Sequence, residues 1–322
     1  MTPLFSIAIP AHQDRPRLAR LLDRLEGEGA PLEVIVVDDA SDDGAAEMLA
    51  ARRPPPHIAL RVVRNAANLG PGPSRNAALE MVSAPFTLFL DADDMIHRDA
   101  FACLSEALPR APVDFTLFRH HLVTRADRPF TYRMMAGDEA LWAAARARCG
   151  GRAGGMTGAL TLADAPELAG MVNYPWTRLF RTEFLRARHL RFPDLRLHED
   201  VPFHWAAWLA ADRFMALDHA PPLVHHFQLD QGGRATDVDD ARRLDAFRAL
   251  NMTLDAEPRL SSDPAVAAVF ARFAEGLTEW AAGRLARGPH HGAARAAAAQ
   301  VRQRLGAIAE ALDLPAREAL DA

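Results

Sequence analysis

The chain has 322 residues, 49% of them apolar and 25% charged, a balance that supports a buried core in one large α/β domain with an appendage or in two modest domains. A formal charge of −5 at pH 7 argues against a surface built to coat nucleic acid, so no nucleic acid is expected among the partners. Every basic residue is an arginine, a bias that GC-rich coding explains by itself, so a phosphate gripped by a side-chain cation must be held by Arg or by a metal. In chain order, residues 5–10 form a short apolar run that predicts a strand, and Leu18, Leu21, Leu22 and Leu25 repeat at helical spacing across 15–28. Residues 32–37 predict a second strand ending in Asp38-Asp39, after which Ser41 or Asp42 is placed to cap a helix carrying Met48 and Leu49. Pro54-Pro55-Pro56 breaks that helix, and 58–63 predict a third strand. A loop rich in Gly and Pro leads to a helix over 74–82. A fourth strand over 86–90 closes in Asp91-Ala92-Asp93-Asp94, followed by a helix over 99–108 and one strand over 113–123.

Apolar strands alternating with helices predict a mostly parallel sheet covered on both faces, and ligands of such sheets bind beyond the carboxyl ends of the strands. Polar groups collect at those ends in Pro10-Ala11-His12, Asp38-Asp39 and Asp91-Ala92-Asp93-Asp94. Residues 126–235 are less regular, with a Gly-rich stretch over 150–158 and a strand-like segment at 214–217. From 237 onward the pattern is helical: Val266, Val269, Phe270, Phe273, Leu277 and Trp280 make one apolar stripe, and Val301, Leu305, Ile308 and Leu312 another. The mixed Arg, Asp and Glu faces of these helices favour ordinary packing, with a homo-oligomer contact or a membrane-peripheral contact as other roles open to them. Cys103 and Cys149 follow no metal-ligand pattern and suggest a reducing compartment. The first residues lack the basic start of a signal peptide, and no run approaches the roughly 18 apolar residues of a membrane span. The expected location is cytoplasmic.

Asp91, Asp93 and Asp94 crowd three carboxylates into four residues, a repulsion relieved when a divalent cation or water lies between them. At a strand end Asp91 and Asp93 point to one side and Asp94 toward the other face or a loop, while a solvated turn accounts for the same residues without any ligand. Asp39 is placed to accept from a ribose hydroxyl or a base N–H, or to cap the next helix. Arg75, one turn into the helix after Asn68-Leu69-Gly70, can reach a diphosphate oxygen, although an ordinary loop explains the segment equally well. Asp200, after Glu199, is either a helix cap or a general base. His225, His226 and Arg234 stand in apolar or glycine-rich settings that a satisfied core or surface role also explains.

Taken together, the segments Ser6-Ile7-Ala8-Ile9-Pro10-Ala11, Val36-Val37-Asp38-Asp39-Ala40-Ser41, Asn68-Leu69-Gly70 through Arg75-Asn76, Phe89-Leu90-Asp91-Ala92-Asp93-Asp94, Pro175-Trp176-Thr177-Arg178-Leu179-Phe180 and Glu199-Asp200 resemble the family 2 glycosyltransferases. That resemblance implies a GT-A fold, α/β with a mostly parallel, Rossmann-like central sheet, over 1–235, with a nucleotide-binding part near 1–125, an acceptor part near 126–235 and a C-terminal helical extension over 236–322. It implies that Asp39 meets the nucleobase, usually uracil, beside the backbone of Pro10 and Ala11, and that Arg75 approaches the diphosphate. Asp91 and Asp93 match the D-x-D motif that holds Mn2+ or Mg2+, with Asp94 as a nearby alternative ligand. Asp200 matches the base of inverting members, with Glu199 beside it, and the Trp176 segment either lines the acceptor side or is core. His226 and Arg234 occupy the place of a basic closing loop over the diphosphate. The absence of a Q-x-x-R-W motif after Asp200 argues against a processive synthase.

The implied reaction moves a sugar from a nucleotide-sugar, as co-substrate, to a hydroxyl of a glycan or another acceptor in surface polysaccharide or glycoconjugate synthesis. Two other readings compete. A sugar nucleotidyltransferase wants a basic Gly-rich loop after the first strand, and Ala11-His12-Gln13-Asp14 is neither basic nor Gly-rich. A degenerate nucleotide- or glycan-binding member that assists a partner would have lost D-x-D or Asp200, and both are present.

Overall fold

The computed structural model describes residues 2–108, 113–124, 134–151, 155–218, 222–228 and 239–314. Strand β1 (Phe5–Ala11), helix α1 (Arg15–Glu26), β2 (Leu32–Asp38), α2 (Ala45–Ala51), β3 (Ile58–Arg64), α3 (Pro71–Met81) and β4 (Phe86–Phe89) follow one another as the alternating pattern predicts. Next come β5 (Met95–Ile96), α4 (Ala100–Ala107), β6 (Phe115–Phe118), β7 (His120–Thr124), α5 (Ala136–Cys149), β8 (Arg178–Arg181) and α6 (Thr182–Ala187). The chain then forms α7 (Asp200–Ala210), β9 (Phe214–Leu217), β10 (Val224–Gln228), α8 (Asp245–Ala256), α9 (Pro264–Arg284) and α10 (His291–Ala311).

A seven-stranded sheet runs β3-β2-β1-β4-β8-β6-β9, and a three-stranded sheet runs β5-β10-β7. Strands β1 to β4 pair in parallel, β8 lies antiparallel between β4 and β6, and β9 is parallel to β6. Alternate residues of β1 and β2 serve opposite faces. Ile7, Ile9, Val34 and Val36 pack with the α1 leucines, whereas Ala8, Ile35 and Val37 join the core that holds α3 and α7. Burial on both faces is why these strands read as unbroken apolar runs.

Some sequence expectations shift. The predicted single strand over 113–123 is two strands, broken at Arg119; β6 stays in the large sheet and β7 leaves it to pair with β10. Helix α3 begins at Pro71 rather than at residue 74, since Pro fits the first turn, where the backbone N–H has no intrahelical partner. Neither Ser41 nor Asp42 caps α2: the Asp43 carboxylate accepts from the Ala45 N–H at 3.1 Å, and Gly44, at φ 84°, makes the turn into the helix.

Helices α8, α9 and α10 continue the core beneath α7, with Phe247, Leu250, Phe270 and Val301 in one apolar cluster with Phe203, Trp205 and Trp208. The edge of Trp205 meets Phe270 at 4.9 Å between centroids. The predicted stripe on α9 holds for Val266 and Phe270, whereas Trp280 at its end is 43% exposed, with the Arg243 guanidinium 4.4 Å from its ring centroid. No described helix is long and apolar enough to cross a membrane.

Candidate active site

Parallel pairing aligns the carboxyl ends of β1, β2 and β4, since Ala11 is in register with Asp38, and Ala8 with Phe89. The Asp39 N–H donates to the Ala11 carbonyl at 2.8 Å, which fixes Pro10 and Ala11 beside it. The Asp39 carboxylate is buried. Its Oδ1 accepts from Asn65 Nδ2 at 2.7 Å and from the Leu69 N–H at 2.9 Å, and its Oδ2 from the Gly70 N–H at 2.7 Å. A carboxylate has about four acceptor positions, so this arrangement leaves one for a ligand. His12 Nδ1 lies 2.7 Å from the Asp39 carbonyl and its Nε2 2.8 Å from Asn68 Nδ2, closing the same loop. Asp38 is spent on structure, accepting from the Ser41 N–H at 3.0 Å and from Arg64 Nη1 at 2.6 Å.

At the end of β4, Asp91, Asp93 and Asp94 each offer an oxygen, and these atoms lie within 4.8 Å of one another. Of the two placements open to Asp94, the other face or a loop, it takes the loop. A tight turn, in which the Asp94 N–H donates to the Asp91 carbonyl at 3.1 Å, folds it back beside the other two. Burial pushes the Asp94 carboxyl up to about 7 against the opposing pull of His226, whose Nδ1 is 2.7 Å from Asp94 Oδ1. Asp94 Oδ2 is buried with no hydrogen-bond partner. An all-oxygen cluster with one unsatisfied buried oxygen fits a hard divalent cation such as Mg2+ or Mn2+. Arg17 Nη1 approaches Asp93 Oδ2 at 3.7 Å from α1.

Arg75 joins this cluster to the start of α7. Its Nη2 donates to Asp91 Oδ1 and its Nη1 to Glu199 Oε1, each at 2.6 Å. Asp91 and Asp94 on one side and Glu199 and Asp200 on the other thus share one site, 108 residues apart between Asp91 and Glu199. Burial pushes the Glu199 carboxyl up, opposed by Arg75. Burial, and next the charge of Glu199, hold the Asp200 carboxyl well above the usual range. A carboxylate so raised is a stronger proton acceptor than an exposed one.

Trp176, placed in the sequence as acceptor lining or core, is fully buried and clusters with Tyr174, at 4.9 Å, and His226, at 5.4 Å, which lie 5.2 Å from each other. His226 therefore braces Asp94 in this structure. Arg234 lies outside the described residues. Sequence reasoning gave no role to Arg17, named His12 only as a strand-end group and Arg178 only as part of the Trp176 segment. Arg178 is a fully buried cation whose Nη2 is 2.8 Å from His204 Nδ1 and whose guanidinium is pulled down to about 9 by burial. Its only signal in the sequence is its place in the Trp176-Thr177-Arg178 segment.

A sequence profile described as Glycosyl transferase family 2 matches residues 6–164. The chain is 26% identical over 218 residues to the poly(ribitol-phosphate) beta-N-acetylglucosaminyltransferase TarS of Staphylococcus aureus (strain Mu50), a match covering 66% of this chain and 34% of that protein. It is 25% identical over 220 residues to the uncharacterized glycosyltransferase EpsJ of Bacillus subtilis (strain 168), covering 68% of this chain and 60% of the other. The matched region thus spans 34% of the length of TarS and 60% of EpsJ. Among solved structures, S. aureus TarS 1–349 in complex with UDP-GlcNAc is similar with a TM-score of 0.61 at 18% identity, over 95% of this chain and 90% of that one. The mannosyltransferase PcManGT from Pyrobaculum calidifontis, in complex with GDP-Man and Mn2+, gives 0.56 at 19% identity, over 96% and 81%. What is shared with these two is the fold, a mostly parallel sheet flanked by helices in the GT-A arrangement.

Proposed function

We propose that this chain, whose residues 6–164 match the glycosyl transferase family 2 profile, is a member of that family and transfers a sugar from a nucleoside diphosphate sugar to an acceptor hydroxyl, inverting the anomeric carbon. The observation that carries this reading is the single cluster in which Arg75 links the carboxylates at the end of β4 to Glu199 and Asp200. Asp39 and the backbone of Pro10 and Ala11 receive the base of the nucleotide, with uracil as the fitting base. Asp91, Asp93 and Asp94 would hold Mn2+ or Mg2+, which would supply Lewis-acid neutralisation of the departing diphosphate. Asp200 takes the proton of the acceptor hydroxyl; the hydroxyl oxygen bonds to the anomeric carbon as the bond to the diphosphate oxygen breaks, and the electron pair leaves with the diphosphate. One in-line displacement inverts the configuration.

A hydroxyl-bearing polymer of surface polysaccharide or glycoconjugate synthesis is the acceptor class in this reading, and the poly(ribitol-phosphate) in the name of TarS supports it. UDP release from UDP-sugars with Mn2+, measured with and without acceptor, tests the proposal. Acceptor-stimulated release is expected, and its loss in Asp200→Asn with UDP binding retained. Substantial transfer by Asp200→Asn removes that residue from the chemistry. Formation of a nucleotide-sugar from a sugar phosphate points instead to a nucleotidyltransferase, and nucleotide binding without turnover to a degenerate binding member.

A further inference from the structure

Arg75 sits where the two halves of the site meet, and both of its terminal nitrogens are committed to carboxylates: Asp91 Oδ1 and Glu199 Oε1, at 2.6 Å each. Its side chain is 5% exposed, and the guanidinium lies 5.2 Å from the centroid of the Phe192 ring. The helix that carries it is locked to the segment leading into α7. Asn76 Nδ2 donates to the Phe192 carbonyl at 2.8 Å, and the Phe192 N–H donates back to Asn76 Oδ1 at 2.9 Å. At Gly72 an added Cβ would lie 2.6 Å from the Pro193 carbonyl oxygen and 3.2 Å from Glu199 Cγ, so the backbones touch with no room for a side chain. An arginine waiting for a diphosphate would keep its fork open toward the cleft. Here both Nη atoms are taken by carboxylates and the side chain is 5% exposed.

We infer that Arg75 is a positioning residue that ties Asp91 to Glu199 and, through Glu199, sets Asp200 in the first turn of α7. The carboxylates that hold the cation and the one that accepts the proton are thereby kept in one frame. This role rests on the glycosyltransferase reading. A guanidinium suits it because its planar fork addresses two carboxylates in fixed directions, which an ammonium does not. Removing it leaves the part-exposed Asp91 and the buried Glu199 as uncompensated charges near Asp200.

The test uses the full chain with R75Q, R75K, E199Q and the double variant R75Q/E199Q, measuring UDP affinity by calorimetry, kcat and donor KM, and melting temperature. The expected result is a kcat about 100-fold lower in R75Q with UDP affinity within about threefold of the parent, and little rescue by R75K. The double variant is expected to be no slower than the poorer single variant, because residues acting as a unit are non-additive. UDP affinity lower by about tenfold or more in R75Q with kcat retained would make Arg75 a diphosphate ligand and overturn the inference, as would losses that multiply in the double variant. If the parent chain itself releases no UDP from any donor, the transferase reading fails. The melting temperatures then still decide whether the bridge exists: non-additive shifts between Arg75 and Glu199 support it and additive ones overturn it.

Discussion

Strands β2 and β4 end alike in sequence, each an apolar run followed by neighbouring aspartates, yet the two ends are finished in different ways. At the end of β2 the chain engages most of the acceptor positions of its own carboxylates, leaving Asp39 one for a ligand. Asp38 is held by Ser41 and Arg64, and Asp39 by Asn65, Leu69 and Gly70. At the end of β4 three carboxylates crowd within 4.8 Å, one of them keeps a buried oxygen with no hydrogen bond, and the cations near them come from distant elements. The contrast teaches that an acidic pair after a strand is not in itself a ligand site. The donors brought by the neighbouring loop decide whether the charge is consumed by the fold or left for a ligand.

The largest expected effect separates the two ends by activity. The double substitution Asp91→Asn and Asp93→Asn should lower kcat/KM for sugar transfer by about 1000-fold, about 4 kcal/mol of transition-state stabilisation. Its melting temperature should change little, because relief of like-charge crowding offsets the loss of the Arg75–Asp91 ion pair. A steep fall in melting temperature instead would make the β4 end a structural clasp like the other. Asp39→Ala should also cost stability, about 3 kcal/mol in urea unfolding, since its three donors lose their acceptor together. A near-neutral result would show that the loop over 65–70 closes without that carboxylate.

Asp138 gives a third kind of buried acid, on α5 with the Val172 N–H donating at 3.1 Å and His120 Nε2 3.6 Å away, its carboxyl pushed up from 3.8 to about 6 mainly by burial. A raised carboxyl costs stability as it ionises, so the cost is absent below pH 3.8 and complete above about pH 6. Asp138→Asn should therefore gain up to about 3 kcal/mol at pH 8 and nothing at pH 3.5, read from unfolding curves at the two pH values. The smallest effect is the one that reports the cation. Mn2+ at about a hundred times its Kd should stabilise the chain by about 2.7 kcal/mol. Asp39→Ala should keep that increment and Asp94→Asn should lose most of it; equal increments in both would erase the distinction between the strand ends.

Much of the first half was legible in sequence. The apolar runs of β1, β2 and β4 and the leucine spacing of α1 report local geometry, and the crossings between parallel neighbours follow from that alternation. The residues at the strand ends were legible for the same reason. The break at Arg119 was not, because an apolar run shows no sign of which sheet it will join. His226 read as a closing group over the diphosphate, since nothing local tells that β10 will carry it to Asp94, 132 residues away.

By itself the sequence determined the alternating strands and helices, the parallel order they favour and the positions of the acidic residues at the strand ends, because all of these follow from periodicity and turn chemistry over a few residues. Only the tertiary structure decided that Asp39 is enclosed by its neighbouring loop and that Asp94 folds back into the acidic cluster. It alone brought Arg75 to Glu199, 124 residues further along the chain. The physical reason is that charges act through space: which carboxylate is neutralised, buried or left unsatisfied depends on chain crossings that no local pattern encodes.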